Sequence, residues 1–274
     1  MKKVSYQGVP GAYSQSAAKK FFGEEIDTYG TDTFEEVLKS AIPEESPTDV
    51  NYCILPVENS IEGTVGQSVD EIVKTKLHAI GEVYLKVEHC LIGKGKLDEV
   101  TNVYSHPQAL GQCSNFIEEH NLKTVPTYDT AGSVEIIKEL DDNCAAIASN
   151  LASNLYNIPI IKEGISNSSN NFTRFLVFSK EKTIESRNDK TSIIFSVKHE
   201  PGALYQILKE FNDNDINLTK IESRPNKNKN WEYNFFVDFL GHSSNSKVKS
   251  VLNNIEKNTI FLKIIGSYPI AELD

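Results

Sequence analysis

The pattern of the chain changes at one polar, charged segment, residues 180–190, which read KEKTIESRNDK. Before this segment, short strand-like runs alternate with helical runs, which is typical of an α/β architecture. After it, the order is strand, helix, strand, strand, helix, strand, which is the ferredoxin-like βαββαβ unit. The sequence therefore predicts two structurally different parts joined by a polar linker.

The first part contains short runs of branched and aromatic residues bounded by turn residues. Thr33-Phe-Glu-Glu36 has the form of a helix capping box, and Pro107 suits the first turn of a helix over residues 108–119. A further helix is predicted over residues 131–140. Mostly parallel sheets are expected, with ligands bound at the carboxyl ends of strands. The predicted strands are Lys3–Gln7, Tyr52–Pro56, Leu77–Val87, Val100–Tyr104, Ala145–Ala148 and Phe172–Phe178.

The second part shows clear periodicity. Leu204, Ile207, Leu208 and Phe211 form one apolar helical stripe. One layer of helices covers only one face of such a small sheet, so this module is expected to dimerise or to dock onto another surface. The predicted elements are strands at 191–198, 216–223, 231–239 and 259–265, a polar hairpin at Asn226–Asn230 and a second helix at 248–255.

Composition limits the possible partners and the location of the chain. Its net charge of −10 over 274 residues disfavours nonspecific binding to nucleic acid or to an anionic membrane. No signal peptide and no apolar run of about 18 residues is visible, so a cytoplasmic location is expected. The four cysteines form no CxxC motif, which predicts buried free thiols; they are Cys53, Cys90, Cys113 and Cys144. No metal site is predicted, because the six histidines are scattered and His89-Cys90 lacks further ligands at useful spacing.

Two polar loops follow predicted strands. GVPGAYS, residues 8–14, places two glycines between a strand and a helix, where backbone N–H groups suit an anion, although an ordinary tight turn explains them equally well. LPVENSIEG, residues 55–63, places Glu58 and Asn59 at the carboxyl end of a strand. That position favours a ligand site, and a solvated loop is the alternative.

The segment SHPQALGQC, residues 105–113, combines a helix cap with a polar stripe. Ser105 is predicted to cap the helix that follows. Ser105, Gln108 and Gln112 are spaced to share one helix face, whereas Leu110 and Cys113 lie on a different, apolar face. The polar stripe therefore faces either solvent or a cleft.

Arg174 stands inside an apolar strand, in the segment NNFTRF at residues 170–175. Its guanidinium is always charged, and burying it without a partner costs roughly several kcal/mol. One interpretation is an edge strand whose arginine reaches solvent. The other is a site in which Thr173 and Arg174 act together, since a guanidinium binds a carboxylate through two hydrogen bonds.

These four motifs, followed by HEPGAL at 199–204 and IESRP at 221–225, resemble the prephenate dehydratase family in its monofunctional form with a C-terminal ACT regulatory domain. The resemblance implies a two-lobed catalytic domain like type II periplasmic binding proteins over residues 1–181. Lobe 1 would span about 1–84 plus 166–181, and lobe 2 about 85–165. A linker at 182–190 would lead into a βαββαβ ACT domain over 191–274.

The implied reaction is the decarboxylating dehydration of prephenate to phenylpyruvate in phenylalanine biosynthesis, a carbon–oxygen lyase reaction without a cofactor. In this interpretation Thr173 assists the departing hydroxyl and Arg174 binds a carboxylate, while the second carboxylate meets backbone N–H groups of the first loop. The implied catalytic residues are Thr173, Arg174, Asn59, Glu58, Ser105 and Gln112. The implied substrate-binding loop is Gly11, Ala12, Tyr13 and Ser14.

The resemblance also implies feedback inhibition by phenylalanine and assembly into a homodimer or homotetramer. Two alternatives stay open. One is the same chemistry on arogenate, which carries an ammonium in place of the keto group. The other is a non-catalytic regulator that binds an amino acid. The implied effector-binding residues are Gly202, Ala203, Leu204, Glu222, Ser223, Arg224 and Pro225.

Overall fold

A computed structural model describes residues 1–46, 49–225 and 233–273 of the chain. These residues form three separate sheets, called here the first, second and third sheets in chain order. The predicted hairpin at Asn226–Asn230 and the start of the predicted strand at Trp231 lie outside the described residues. None of the described helices is long and apolar enough to cross a membrane.

The first sheet is built from the amino-terminal strands and one strand that returns from far along the chain. Its order is β2-β1-β3-β11-β5, with β4 paired to β3. The returning strand β11 (Phe172–Ser179) lies antiparallel between β3 (Tyr52–Asn59) and β5 (His78–Lys86). The other elements of this lobe are β1 (Lys2–Gln7), α1 (Tyr13–Phe22), β2 (Ile26–Thr31), α2 (Phe34–Ser40), β4 (Gly63–Thr64) and α3 (Gly66–Lys74).

The second sheet forms a separate lobe with its own apolar core, which includes Leu91, Val103 and Ile147. Its strand order is β10-β6-β9-β7-β8. The strands are β6 (Cys90–Gly93), β7 (Asn102–Ser105), β8 (Lys123–Pro126), β9 (Cys144–Ala148) and β10 (Ile160–Lys162). The helices are α4 (Pro107–Gln112), α5 (Ser114–Glu119), α6 (Gly132–Lys138) and α7 (Asn150–Tyr156).

The third sheet confirms the predicted βαββαβ order and has the strand order β13-β14-β12-β15. Its two helices cover one face, where Phe211, Val237 and Ile255 form a core. Its other face packs on the first lobe through Phe236 and Ile265, so the module docks within its own chain. The elements are β12 (Asp189–Ser196), α8 (Ala203–Asp213), β13 (Leu218–Pro225), β14 (Tyr233–Leu240), α9 (Ser246–Lys257) and β15 (Phe261–Pro269).

Two predictions made from local sequence signals are confirmed, whereas the expected strand directions are not. The capping box is confirmed, because the Thr33 hydroxyl accepts from the N–H of Glu36 and the Glu36 carboxylate accepts from the N–H of Thr33. The four cysteines are buried and free, as predicted. The expectation of mostly parallel sheets is wrong. The chain crosses to the second lobe and back, and the returning β11 runs antiparallel to both of its neighbours.

Two predicted boundaries shift for physical reasons. The helix predicted over 108–119 is broken at Cys113, where φ is −117°, so that α4 and α5 are separate. The polar segment predicted as a linker contributes Asp189 and Lys190 to β12, where both are buried. Both charged side chains are buried because they have partners: Lys190 pairs with Glu82 of the first sheet, and Asp189 accepts from the N–H and the hydroxyl of Ser186.

Gly266 allows the third sheet to approach the first sheet closely. A Cβ atom at this position would lie 2.1 Å from the carbonyl oxygen of Ala79 at the start of β5. We therefore expect Gly266→Ala to lower the free energy of unfolding by about 1–3 kcal/mol, because backbone would have to move. Urea unfolding measures the change. Gly111→Ala is the control, since a Cβ there meets nothing within 4 Å; equal losses in both variants would contradict the prediction.

Candidate active site

A cleft lies between the first and second lobes and consists of two adjoining cavities. The inner cavity, about 260 Å³, is lined by Asn59, Gln112 and Thr173. The outer cavity, about 520 Å³, is lined by residues 11–14 of the first loop and residues 127–131 of the second lobe. Tyr13 and Ser14 line both cavities. The cleft thus brings together one predicted residue from each of three motifs and all four residues of the predicted substrate loop.

Asn59 fixes the hydrogen-bonding role of Thr173. Its side-chain oxygen accepts from the backbone N–H groups of Ile61 and Glu62, both at 3.0 Å. The amide nitrogen is therefore turned toward Thr173 and donates to its hydroxyl oxygen at 3.0 Å. Among the described residues no group accepts a hydrogen bond from the Thr173 hydroxyl, so its hydrogen is free to donate to a molecule in the inner cavity.

The same amide starts a chain of buried hydrogen bonds across the cleft. Asn59 donates to the Asn171 side-chain oxygen at 2.7 Å, and Asn171 donates to the Gln112 oxygen at 3.2 Å. That oxygen lies 2.9 Å from Nε2 of His89, while Nδ1 of His89 lies 2.9 Å from the Tyr13 hydroxyl. Because the Gln112 oxygen can only accept, His89 carries its hydrogen on Nε2. The network therefore links α1 to α4 across the two lobes.

His89 is 2% exposed, and burial lowers its pKa, although the hydrogen bond to Gln112 opposes this shift. The neutral imidazole suits its surroundings, since one nitrogen donates to Gln112 and the other faces the Tyr13 hydroxyl. His89 thus links Tyr13 and Gln112, and all three line the inner cavity.

The loop at residues 8–14 offers fewer free donors than its sequence predicts. The N–H of Gly11 donates to the Gln15 side chain at 2.7 Å, and the N–H of Ala12 donates to the carbonyl of Val9 at 3.1 Å. The expectation that all four residues of the substrate loop present N–H groups is therefore wrong for these two. Tyr13 and Ser14 form the first turn of α1, where N–H groups have no intrahelical partner.

Ser105 does not take either of its predicted roles. It is fully buried at the end of β7, and its hydroxyl donates to the carbonyl of Ile147 at 2.7 Å. The cap of α4 is His106, whose ring accepts from the N–H of Gln108. The predicted polar stripe is nevertheless real, because Gln108 and Gln112 both line the inner cavity.

Arg174 lies on the face of β11 opposite the cleft, so the prediction that it binds a substrate carboxylate there is wrong in this structure. Its side chain is 4% exposed. Its nitrogens donate to Glu82 at 2.7 Å, to the Tyr268 hydroxyl at 2.9 Å and to Asp238. Glu58 lies on the same side, 3.6 Å from Arg174. The interpretation as an arginine that reaches solvent is also wrong, because all of its partners are protein groups.

The predicted effector residues fall into different environments. Gly202, with φ of +84°, precedes α8, and Ala203 and Leu204 begin that helix. On β13, Glu222 interacts with Thr64, and Arg224 pairs with an aspartate of α3 at 3.1 Å. These two side chains are therefore engaged by the first lobe, while Ser223 and Pro225 are exposed. Effector binding by this set of residues stays a prediction.

The sequence did not point to His89 or Asn171 as site residues. Asn171 directly precedes the strand that carries Thr173, and the pair of asparagines at 170–171 was the available signal. In the sequence His89 is notable only as a candidate metal ligand, and it lacks further ligands at useful spacing. Its true partners come from α1 and α4, which no local pattern places beside it.

Family models match most of the chain. The model for prephenate dehydratase matches residues 4–183, and the model for the ACT domain matches residues 191–257. A prephenate dehydratase of Methanocaldococcus jannaschii is 37% identical, and the match covers 99% of this chain and 99% of that protein.

Solved structures share the fold over almost the whole chain. A prephenate dehydratase from Arthrobacter aurescens in complex with L-Phe has a TM-score of 0.88 and 26% identity, covering 98% of this chain and 90% of that one. A protein described as a novel type of quorum quenching acylase also has a TM-score of 0.88, with 28% identity and 98% coverage of both chains. The fold alone therefore does not determine the activity, which depends on the residues of the site.

We expect His89 to make stability depend on pH. Its pKa in the folded chain is lowered by burial, whereas the unfolded value is about 6.5. Above that pH both states are neutral at this residue. As the pH falls below it, the unfolded chain takes up a proton that the folded chain does not, so the free energy of unfolding decreases.

Urea unfolding at pH 7.5 and 5.5 measures this dependence. We expect a smaller difference between the two pH values in His89→Gln than in the wild type. His199→Gln, at an exposed histidine, serves as the control and leaves the difference unchanged. A pH dependence that is identical in His89→Gln and the wild type would show that His89 does not contribute.

Proposed function

The chain belongs to the prephenate dehydratase family and carries an ACT domain, and we propose that its cleft converts prephenate to phenylpyruvate. The C–C bond to the ring carboxylate breaks and releases carbon dioxide. The electron pair left behind moves through the ring and expels the hydroxyl on the opposite carbon. That hydroxyl takes up one proton and leaves as water, so the products are phenylpyruvate, carbon dioxide and water.

One observation carries this proposal: the Thr173 hydroxyl accepts from Asn59 and keeps its own hydrogen for the cleft. A departing hydroxyl needs a hydrogen-bond donor or a proton source at its oxygen. Thr173 supplies that donor in the inner cavity, from a position that is only 8% exposed. Assistance of this kind accelerates such a step by roughly 10²–10⁴-fold.

The substrate is a dianion, yet none of the described residues lining the cleft is a lysine or an arginine. Arg174 is engaged elsewhere. In our proposal the carboxylates are held by neutral donors: the N–H groups of Tyr13 and Ser14 at the start of α1, which favour anions, and the side-chain amides of Gln108 and Gln112.

Arogenate is the nearest alternative substrate, because it differs from prephenate by an ammonium in place of the keto group. No described residue of the cleft distinguishes the two. Measuring kcat/KM for both substrates side by side decides the preference. A non-catalytic regulator would bind an amino acid and convert neither substrate.

We expect Thr173→Val to lower kcat for phenylpyruvate formation by about 10²–10⁴-fold with little change in KM, because the donor to the leaving hydroxyl is lost. Thr173→Ser is the matched control, since it keeps a hydroxyl at the same position and retains most of the activity. A Thr173→Val enzyme with a near-normal kcat and a raised KM would show that Thr173 only binds the substrate.

The ACT domain makes phenylalanine the expected effector, as in the L-Phe complex of the related structure. In our proposal Gly202, Ala203 and Leu204 at the start of α8, together with Ser223, contribute to its site. The functional unit is a homodimer or homotetramer, which analytical ultracentrifugation measures. A cytoplasmic location stays a prediction.

We expect L-phenylalanine to lower the rate of phenylpyruvate formation and to raise the unfolding temperature. A ligand at about 100 times its Kd stabilises the folded state by about 2.7 kcal/mol. D-phenylalanine at the same concentration is the control and has a smaller effect on both. If L-phenylalanine changes neither the activity nor the unfolding temperature, the regulatory proposal fails.

A further inference from the structure

Two neighbouring strands carry different chemistry on their two faces. In β3 and β11, Thr173 pairs with Asn59 and Arg174 pairs with Glu58. Successive side chains of a strand point to opposite faces. Asn59 and Thr173 therefore face the cleft, whereas Glu58 and Arg174 face the third sheet.

The third sheet presents a matching pair of charges. Lys220 of β13 and Asp238 of β14 are partners in the register of these strands. Lys220 lies 3.0 Å from the Glu58 carboxylate, and Asp238 accepts a hydrogen bond from Arg174. Each charge of one sheet thus meets an opposite charge of the other, directly behind the two cleft residues.

The Arg174–Asp238 pair is shielded from water, whereas the Lys220–Glu58 pair reaches water at Glu58, whose side chain is 39% exposed. The side chains of Asp238, Arg174 and Lys220 are 0%, 4% and 8% exposed. Arg174 also donates to Glu82, which in turn pairs with Lys190 at 2.8 Å. Arg174 and Lys190 are therefore balanced by Glu82 and Asp238. A fully satisfied buried network of this kind leaves its members little freedom to move.

We propose that Asp238 and Lys220 are positioning residues for the reaction. Asp238 holds Arg174, and Lys220 holds Glu58. Through the two strands they thereby fix Thr173 and Asn59, which lie on the opposite face, toward the cleft. The inference rests on the proposed function. Neither residue lines the cleft. Their action is through the backbone of β3 and β11, where a displacement of about 1 Å at reacting groups can cost about 10²-fold in rate.

The same strand carries the predicted effector segment. Lys220, Glu222 and Arg224 alternate along β13, and Glu222 and Arg224 contact Thr64 and the α3 helix of the first lobe. A ligand that displaces β13 therefore acts on the end of β3 through the Lys220–Glu58 pair. This gives the third sheet a direct physical connection to Asn59.

The test compares four variants of the full chain. Asp238→Asn removes the charge that holds Arg174, and Lys220→Met removes the charge that holds Glu58. Lys263→Met is the matched control, because Lys263 also joins the third sheet to the first lobe but donates to backbone carbonyls at the end of α3, at 2.9 Å from those of Ile72 and Val73. Lys220→Arg keeps the positive charge and tests whether that charge is enough to restore kcat.

For Asp238→Asn and Lys220→Met we expect kcat for phenylpyruvate formation to fall at least about tenfold with KM changed less than about twofold. The measurement is made well below the unfolding temperature of each variant, checked by circular dichroism. Lys263→Met lowers the unfolding temperature but leaves kcat within about twofold, and Lys220→Arg recovers most of the lost kcat.

Two results would overturn the inference while leaving the proposed function intact. In one, the wild type is active and both charge variants keep its kcat. In the other, Lys263→Met slows the reaction as much as Asp238→Asn, so that docking of the third sheet in general sets the rate. A wild type that converts neither prephenate nor arogenate instead overturns the proposed function.

Discussion

The arrangement of the site depends on the hydrogen bond from Asn59 to Thr173. It forms because β11 returns from the second lobe and pairs antiparallel with β3, placing the two residues opposite each other. Two backbone N–H groups fix the asparagine amide, and the amide then fixes the threonine as an acceptor at that position. The chemistry of the cleft thus follows from strand register and from the short loop after β3.

The arginine next to this threonine is buried on the other face of the sheet, where its charge needs partners. A guanidinium in an apolar strand is tolerated only with close partners, and removing one partner of such a buried pair costs about 3–5 kcal/mol. Arg174 finds Glu82 within the first sheet and Asp238 and Tyr268 in the third sheet. The strand that carries Thr173 is therefore held against the ACT domain by Asp238 and Tyr268.

Sequence patterns predicted the βαββαβ module, the capping box and most strands of the first part, because these depend on local periodicity and capping chemistry. They predicted Thr173, Asn59 and Gln112 as site residues through the family resemblance, and the structure places these three around one cavity. The patterns failed where an outcome depends on distant partners. Arg174 and Ser105 turn away from the cleft because Asp238 and the Ile147 carbonyl lie behind them.

The most direct test of the account is a double-mutant cycle on kcat with Asn59→Asp and Thr173→Val. An aspartate keeps the shape and the bonds to the loop N–H groups, but it can only accept from Thr173, which turns the hydroxyl hydrogen away from the cleft. We predict that each variant alone is severely slowed and that the double variant is no slower than Thr173→Val. Losses that multiply in the double variant would show that Asn59 acts independently of Thr173 and would contradict this prediction.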